Sequence, residues 1–268
     1  MSGLAGNDSR REMAERTTVL RAVTGSTAHG LALPGTDDRD ETAVCVEDMA
    51  ACVGFVEFEQ YIYRTAAVRV GRHDAPSTVG DLDLTIFSLR KFLRLAMQGN
   101  PSMMLLLFVR DPIICTSRGA HLQELAPQIV SRQAGRRFLG YMESQRQRLL
   151  GERGQKKTNR PELEAAYGYD TKYAMHVLRL GFQGIELMNT GRLTLPLPEP
   201  ERMWLMAVRR GEVPLDDVLQ RAGEYERMLK DSLLDAPIRE EPDRLAIEAW
   251  MLRTYLEAWK ARDSSWMA

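Results

Sequence analysis

The chain predicts an α+β fold in which a mixed α/β half is followed by an all-helical half, with the break near residue 125. Two observations carry that reading. Before residue 90 the apolar residues fall in β-branched or alternating runs, Thr17 to Val23 and Asp83 to Phe87 among them. From Gly119 onward they recur at helical spacing almost without interruption. The chain has 268 residues, 44% of them apolar and 27% charged. That suits one large domain or two of ordinary size, and we take 1–125 and 126–268 as the two parts.

Taken in order, residues 1–15 read as a flexible or partly helical lead. Thr17 to Val23 is a β-branched strand that delivers the chain into Gly25-Ser26. Pro34-Gly35 marks a turn, Asp37 a turn residue, and the strand of an Asp-x-Asp pair runs on from Glu41 to Val46. A further strand is expected between Tyr61 and Val70, then a loop from Gly71 to Gly80. In the next strand Asp83, Thr85 and Phe87 share one face and Leu84 and Ile86 the other. Ser88 caps a helix with Leu89, Phe92, Leu93 and Ala96 on one stripe, and Asn100-Pro101 opens another. Helical stretches follow around Phe138 to Leu150, Tyr173 to Leu187, Met203 to Val208, Val218 to Leu234 and Leu245 to Trp259. Gly151 to Arg160 reads as a basic loop, and the proline-rich segment Thr194 to Pro200 as an extended connector.

The chemistry gathers at the first strand and its successor. Asp38 and Asp40 stand two apart, so on a strand their carboxylates project from one face. Carboxylates that close repel unless a cation lies between them. A hard divalent ion such as magnesium, shared with phosphate oxygens, is the usual solution. Gly25 lets backbone approach a phosphate, Ser26 supplies a hydroxyl, and a helix opening at Thr27 would turn amide groups toward an anion. Glu41 points away from the pair and is expected to form a salt bridge. His29 would touch phosphate or make a structural hydrogen bond.

Gly25-Ser26, about ten residues, then Asp38-Arg39-Asp40 resembles the signature of nucleotidyltransferases of the DNA polymerase β superfamily. Three later segments are similar to a branch of bacterial and phage nucleotidyltransferases: Asp83 to Leu93, Gly99-Asn100-Pro101, and Tyr169 to Arg179. The resemblance implies a small polymerase-β-like mixed sheet followed by a helical domain that closes over the nucleotide. It implies metal-dependent transfer of a nucleoside monophosphate from a nucleoside triphosphate to an acceptor hydroxyl, with release of pyrophosphate. Two magnesium or manganese ions would be held by Asp38, Asp40 and Asp83, with Asp81 in reserve as third carboxylate. The acceptor favoured is an RNA end; a protein or small molecule is the alternative, as is a catalytically silent module that binds nucleotide or RNA. One departure is plain. The branch often carries a glutamate after Asn-Pro, where this chain reads Ser102-Met103-Met104-Leu105-Leu106-Leu107.

At 100° per residue Lys172, His176, Arg179 and Gln183 fall within an arc of about 60° on one helix face. An ammonium, an imidazole and a guanidinium together suit a triphosphate or an acceptor phosphate. Net charge is −1, so any nucleic-acid surface must be local. Arg132, Arg136, Arg137, Arg146, Arg148, Arg153, Lys156, Lys157 and Arg160 make a basic centre that could serve one, followed by an acidic third. Cys45, Cys52 and Cys115 show no metal spacing and read as core residues of a reduced, cytoplasmic protein. No run is apolar enough to span a bilayer.

Overall fold

The computed structural model describes residues 2–33, 35, 38–55, 57–71, 75, 77–152 and 160–263. Pro34 and Asp37, most of the basic loop after Gly151 and part of the 71–80 loop lie outside them. The first residues form a helix, α1 (Ser2–Arg16), the helical of the two alternatives expected there. Its end is tied down: Ala14 is fully buried, Arg16 pairs with Asp48 at 2.7 Å, and the hydroxyls of Thr17 and Thr18 donate to the carbonyls of Met13 and Ala14.

Then come β1 (Thr18–Val23), α2 (Gly25–His29), β2 (Arg39–Cys45), α3 (Met49–Val53), β3 (Gln60–Arg64), α4 (Thr65–Val70) and β4 (Leu82–Ser88). The expected strand at 61–70 therefore stops at Arg64. Val68 and Val70 are exposed, so nothing rewards their β preference, and Ala66 and Ala67 just before them favour a helix. Helices α5 (Leu89–Met97) and α6 (Pro101–Leu106) start on the expected caps. Ser88 Oγ accepts from Lys91 N at 3.2 Å, and Asn100 Oδ1 accepts from Ser102 N at 3.0 Å. A two-residue strand β5 (Ile114–Cys115) precedes α7 (Ser117–Glu124) and α8 (Ala126–Ile129). The remaining helices are α9 (Arg132–Leu150), α10 (Pro161–Tyr167), α11 (Thr171–Thr190), α12 (Glu201–Arg209), α13 (Leu215–Asp235) and α14 (Arg244–Asp263).

The five strands form one mixed sheet in the order β3-β4-β2-β1-β5, in which only β2 and β4 run parallel. The chain is thus α+β, as its pattern predicts. Strand alternation divides the apolar residues between the two faces. Ala43, Cys45, Leu84 and Ile86 pack with Tyr61, Phe58 and Ala14 in a small cluster under α1. Leu20, Ala22 and Val44 face the other way and join a core that continues through Phe92, Met104 and Phe138 to Leu178, Leu205, Leu229 and Tyr255. That core passes through both halves of the chain. The Met-rich run after Pro101 is buried in it.

The last helix returns to the sheet. Tyr255 Oη donates to Glu47 Oε1 at 2.9 Å, Trp259 Nε1 to Glu47 O at 2.9 Å, and Arg262 pairs with Asp48 at 2.8 Å. Much of the basic centre is paired with the acidic third: Arg132 and Arg136 with Glu240, Arg146 with Glu226. Cys45 and Cys52 are core residues as expected, but Cys115 on the short outer strand is exposed. Among the described residues no helix is long and apolar enough to cross a membrane.

Candidate active site

The parallel pairing of β2 with β4 puts Asp40 directly beside Asp83. Asp38 lies two residues before Asp40, and carboxylate oxygens of Asp38, Asp40 and Asp83 all fall within 4.8 Å of one another. They rise on the sheet face that the helical half covers, which is the face of Val44 and Phe87. The next residue, Glu41, is buried on the other side and bonded to Arg21 at 2.5 Å and Arg39 at 2.6 Å. It is the structural pair expected of it.

The two candidates for third carboxylate have different surroundings. Asp81 receives both terminal nitrogens of Arg69 (2.7 and 2.8 Å), the hydroxyls of Thr65 and Thr78, and Thr78 N. Arg69 first, then these donors, hold it well below the usual carboxylate range. Asp81 is thereby spent on the loop between α4 and β4. Asp83 keeps company with the other two acids and is bonded to Arg64 Nε at 3.0 Å and to Ser77 Oγ at 2.8 Å.

Backbone closes on the pair from the other side. Thr24 N donates to Asp40 O at 2.9 Å, and the hydroxyls of Thr24 and Thr42 lie 3.1 Å apart. At Gly25 φ is +62°, and a Cβ built there would stand 2.0 Å from Asp40 Oδ2. Only glycine fits both the left-handed backbone and the approach. The short helix opens here, at Gly25, two residues before the expected start at Thr27, so Ser26 falls in its first turn.

The facing wall is α11. Asp170 caps it, accepting from Lys172 N and Tyr173 N at 3.0 Å each. The expected polar face exists, but it looks inward. Arg179 Nη2 reaches His176 Nδ1 at 3.2 Å, Arg179 Nη1 reaches Gln183 Oε1 at 3.1 Å and also meets His29 Nε2, and Gln183 Nε2 reaches His29 Nδ1 at 3.3 Å. Burial, then the neighbouring Arg179, pushes both imidazoles well below 6.5, so they are neutral at pH 7. Arg179 itself, desolvated, is lowered to about 10 and stays charged. No carboxylate among the described residues pairs with it.

Two adjoining cavities result. One, of about 360 Å³, is lined by Asp40, Asp83, Thr24, His29, Arg64 and Arg179, with others from β4 and α6. The second, of about 280 Å³, is lined by Tyr141, Gln145, Arg160, Tyr173, His176 and Arg179. Pro101, Ser102 and Arg179 belong to both. Lys172 lines neither. Arg64, Ser77 and Thr42 were not singled out in the sequence reading, and Ser102 entered it only as part of the run that departs from the family pattern. The signal for Arg64 was its cross-strand position opposite Asp83, which appears only once the β3–β4 register is known.

The model of the RlaP family, the RNA repair pathway DNA polymerase beta family, matches residues 8–253. The chain belongs to that family. The polymerase β resemblance read from Gly25-Ser26 and Asp38-x-Asp40 is therefore correct, and the match runs through both cavity walls. The chain is also similar to a solved nucleotidyltransferase-like protein from Exiguobacterium sibiricum 255-15. Identity is 11%, coverage 85% of this chain and 74% of that one, and the TM-score 0.28. No curated protein matches the chain.

Proposed function

We propose that the protein is a metal-dependent nucleotidyltransferase, transferring a nucleoside monophosphate from a nucleoside triphosphate to an acceptor hydroxyl and releasing pyrophosphate. The observation that carries this is the register Asp40 beside Asp83, which gathers three carboxylates within 4.8 Å. The donor set is all oxygen, with neither thiolate nor imidazole in it, and so fits magnesium or manganese rather than zinc. Asp38 and Asp40 would hold two ions between them and Asp83 the one on the acceptor side. Bound there, the ions supply charge that lowers the pKa of the attacking hydroxyl and steadies the leaving pyrophosphate.

The chain's own residues do the rest. Gly25 and Ser26 offer close backbone and a hydroxyl to the phosphates. Arg179 presents a half-buried positive charge, oriented by two neutral histidines that accept its hydrogen bonds. His176 shares this positioning role, and Lys172 supplies charge at the start of the same helix. Residues 1–125 form the catalytic part in this reading, and 126–268 the helical part that closes over the nucleotide. An RNA end is the favoured acceptor, supported by the family's RNA repair description.

A transfer assay tests the proposal. The protein is incubated with magnesium or manganese and each α-labelled triphosphate, with total RNA, a protein extract or buffer as acceptor. Label should enter RNA and be lost with Asp38→Asn or Asp40→Asn. Removing one ligand forfeits several kcal/mol of charge stabilisation, about a thousandfold in rate or more. Full activity in the double variant would sink the assignment. If no label moves but triphosphate raises the melting temperature, a nucleotide-sensing module is the better reading.

A further inference from the structure

The second cavity differs from the first in one respect that decides what it can hold: no carboxylate among the described residues lines it. A phosphate bound there would be neutralised by protein cations and not by a metal ion. Arg179 stands at its boundary with an uncompensated charge, and Arg160 on its rim shares its charge with Asp170 at 3.3 Å. Neutral His176, accepting from Arg179 through Nδ1, keeps its Nε2–H as a donor. The burdened ionisation of His176 reports the same positive field, since after burial its causes are Arg179, Lys172, Arg160 and Arg209.

Two aromatic rings complete the lining. Tyr141 carries the Arg137 guanidinium at 5.2 Å from its centroid, and Tyr173 that of Arg160 at 5.6 Å. Gln145 adds an amide whose Oε1 is buried and has no protein partner. Cations, two tyrosine rings and an amide are groups that a nucleotide base and its phosphate can use.

We infer that this cavity seats the terminal nucleotide of the acceptor strand, its base against Tyr141 and Tyr173 and its phosphate on Arg160 and Arg179. The incoming triphosphate carries its phosphates to the metal ligands in the neighbouring cavity. The acceptor's phosphodiester brings no metal, and an acid-free cationic pocket next to the carboxylates is the place that suits it. The inference rests on the proposed transfer reaction and narrows its acceptor to a nucleic-acid end.

The experiment measures binding of a 5′-fluorescein hexaribonucleotide with a free 3′ hydroxyl to the full chain, by anisotropy in EDTA. Thermal stabilisation by magnesium and each triphosphate is measured in parallel. Tyr141→Leu and Gln145→Leu should each weaken the oligonucleotide roughly tenfold, as loss of a stacking or edge contact does. Arg160→Gln should weaken it similarly and lower the salt slope by about one. All three should keep the stabilisation by magnesium triphosphate. Gln145→Leu guards against a folding defect, because its oxygen has no protein partner to lose. The inference is overturned if the triphosphate loses as much as the oligonucleotide, or if oligonucleotide binding is unchanged. Because binding is read without metal or turnover, failure of the metal-centre assignment leaves this result interpretable, and the reverse holds too.

Discussion

A methyl group at position 25 has nowhere to go. It would meet Asp40 Oδ2 at 2.0 Å, on backbone at φ +62°. Gly25→Ala should cost about 1–3 kcal/mol of stability and, by displacing the carboxylate, reduce transfer further than the fall in melting temperature explains. Comparing kcat with the melting curve separates the two. The histidines give a second test. Both have folded pKa values below their ordinary 6.5, so the unfolded chain takes up their protons first on acidification. Their stability contribution is complete above about pH 6.5 and is lost as pH falls through the window beneath it. Urea midpoints at about pH 7.5 and 5.5 should show that loss, and His176→Gln should shrink it. The nearness of Asp38 to Asp40 was legible from their spacing of two, while Asp83 was singled out mainly by the family resemblance, and the structure brings the three carboxylates together. The choice between Asp81 and Asp83 was harder, since both share that period. Arg69 and the threonines that claim Asp81 are recruited by a loop fold no local pattern encodes.

Among the elements, helices with caps and a clear stripe stood where the spacing placed them, α5, α6 and α11 most plainly. The elements misread or left open were those whose structure depends on a partner. Strand β3 gives way to α4 because its second half finds no sheet to cover, and α1 forms because Ala14 is buried under the sheet. The return of α14 was likewise invisible from its own residues. Its anchor makes a prediction: Tyr255 Oη serves the buried Glu47 carboxylate and also accepts from Arg90 N at 3.1 Å. Tyr255→Phe leaves both short of a partner and should cost about 2 kcal/mol, or roughly 4–8 °C at this chain length. Glu47 follows the far end of β2 from Asp40, so kcat at a permissive temperature should be unchanged. A matching loss of activity would show that α14 does more than hold the sheet.

For the molecule as a whole, one apolar core runs from the sheet face through both halves. Calorimetry should therefore show a single cooperative transition rather than two. Magnesium with a triphosphate should raise its midpoint more than either alone, by about 2.7 kcal/mol at a hundredfold excess over Kd. Asp38→Asn should abolish that increment. The register between β2 and β4 carries a consequence for biosynthesis. A parallel pair cannot be closed by a hairpin, so Asp83 reaches Asp40 only once the chain between them, which carries α3, β3 and α4, has made the crossover. A nascent chain that has folded its first hairpin holds two of the three acids and no complete chelate. The three carboxylates come together only when β4, the fourth of the five strands, has docked on β2, and any chain that stops short of that step lacks the complete acidic cluster.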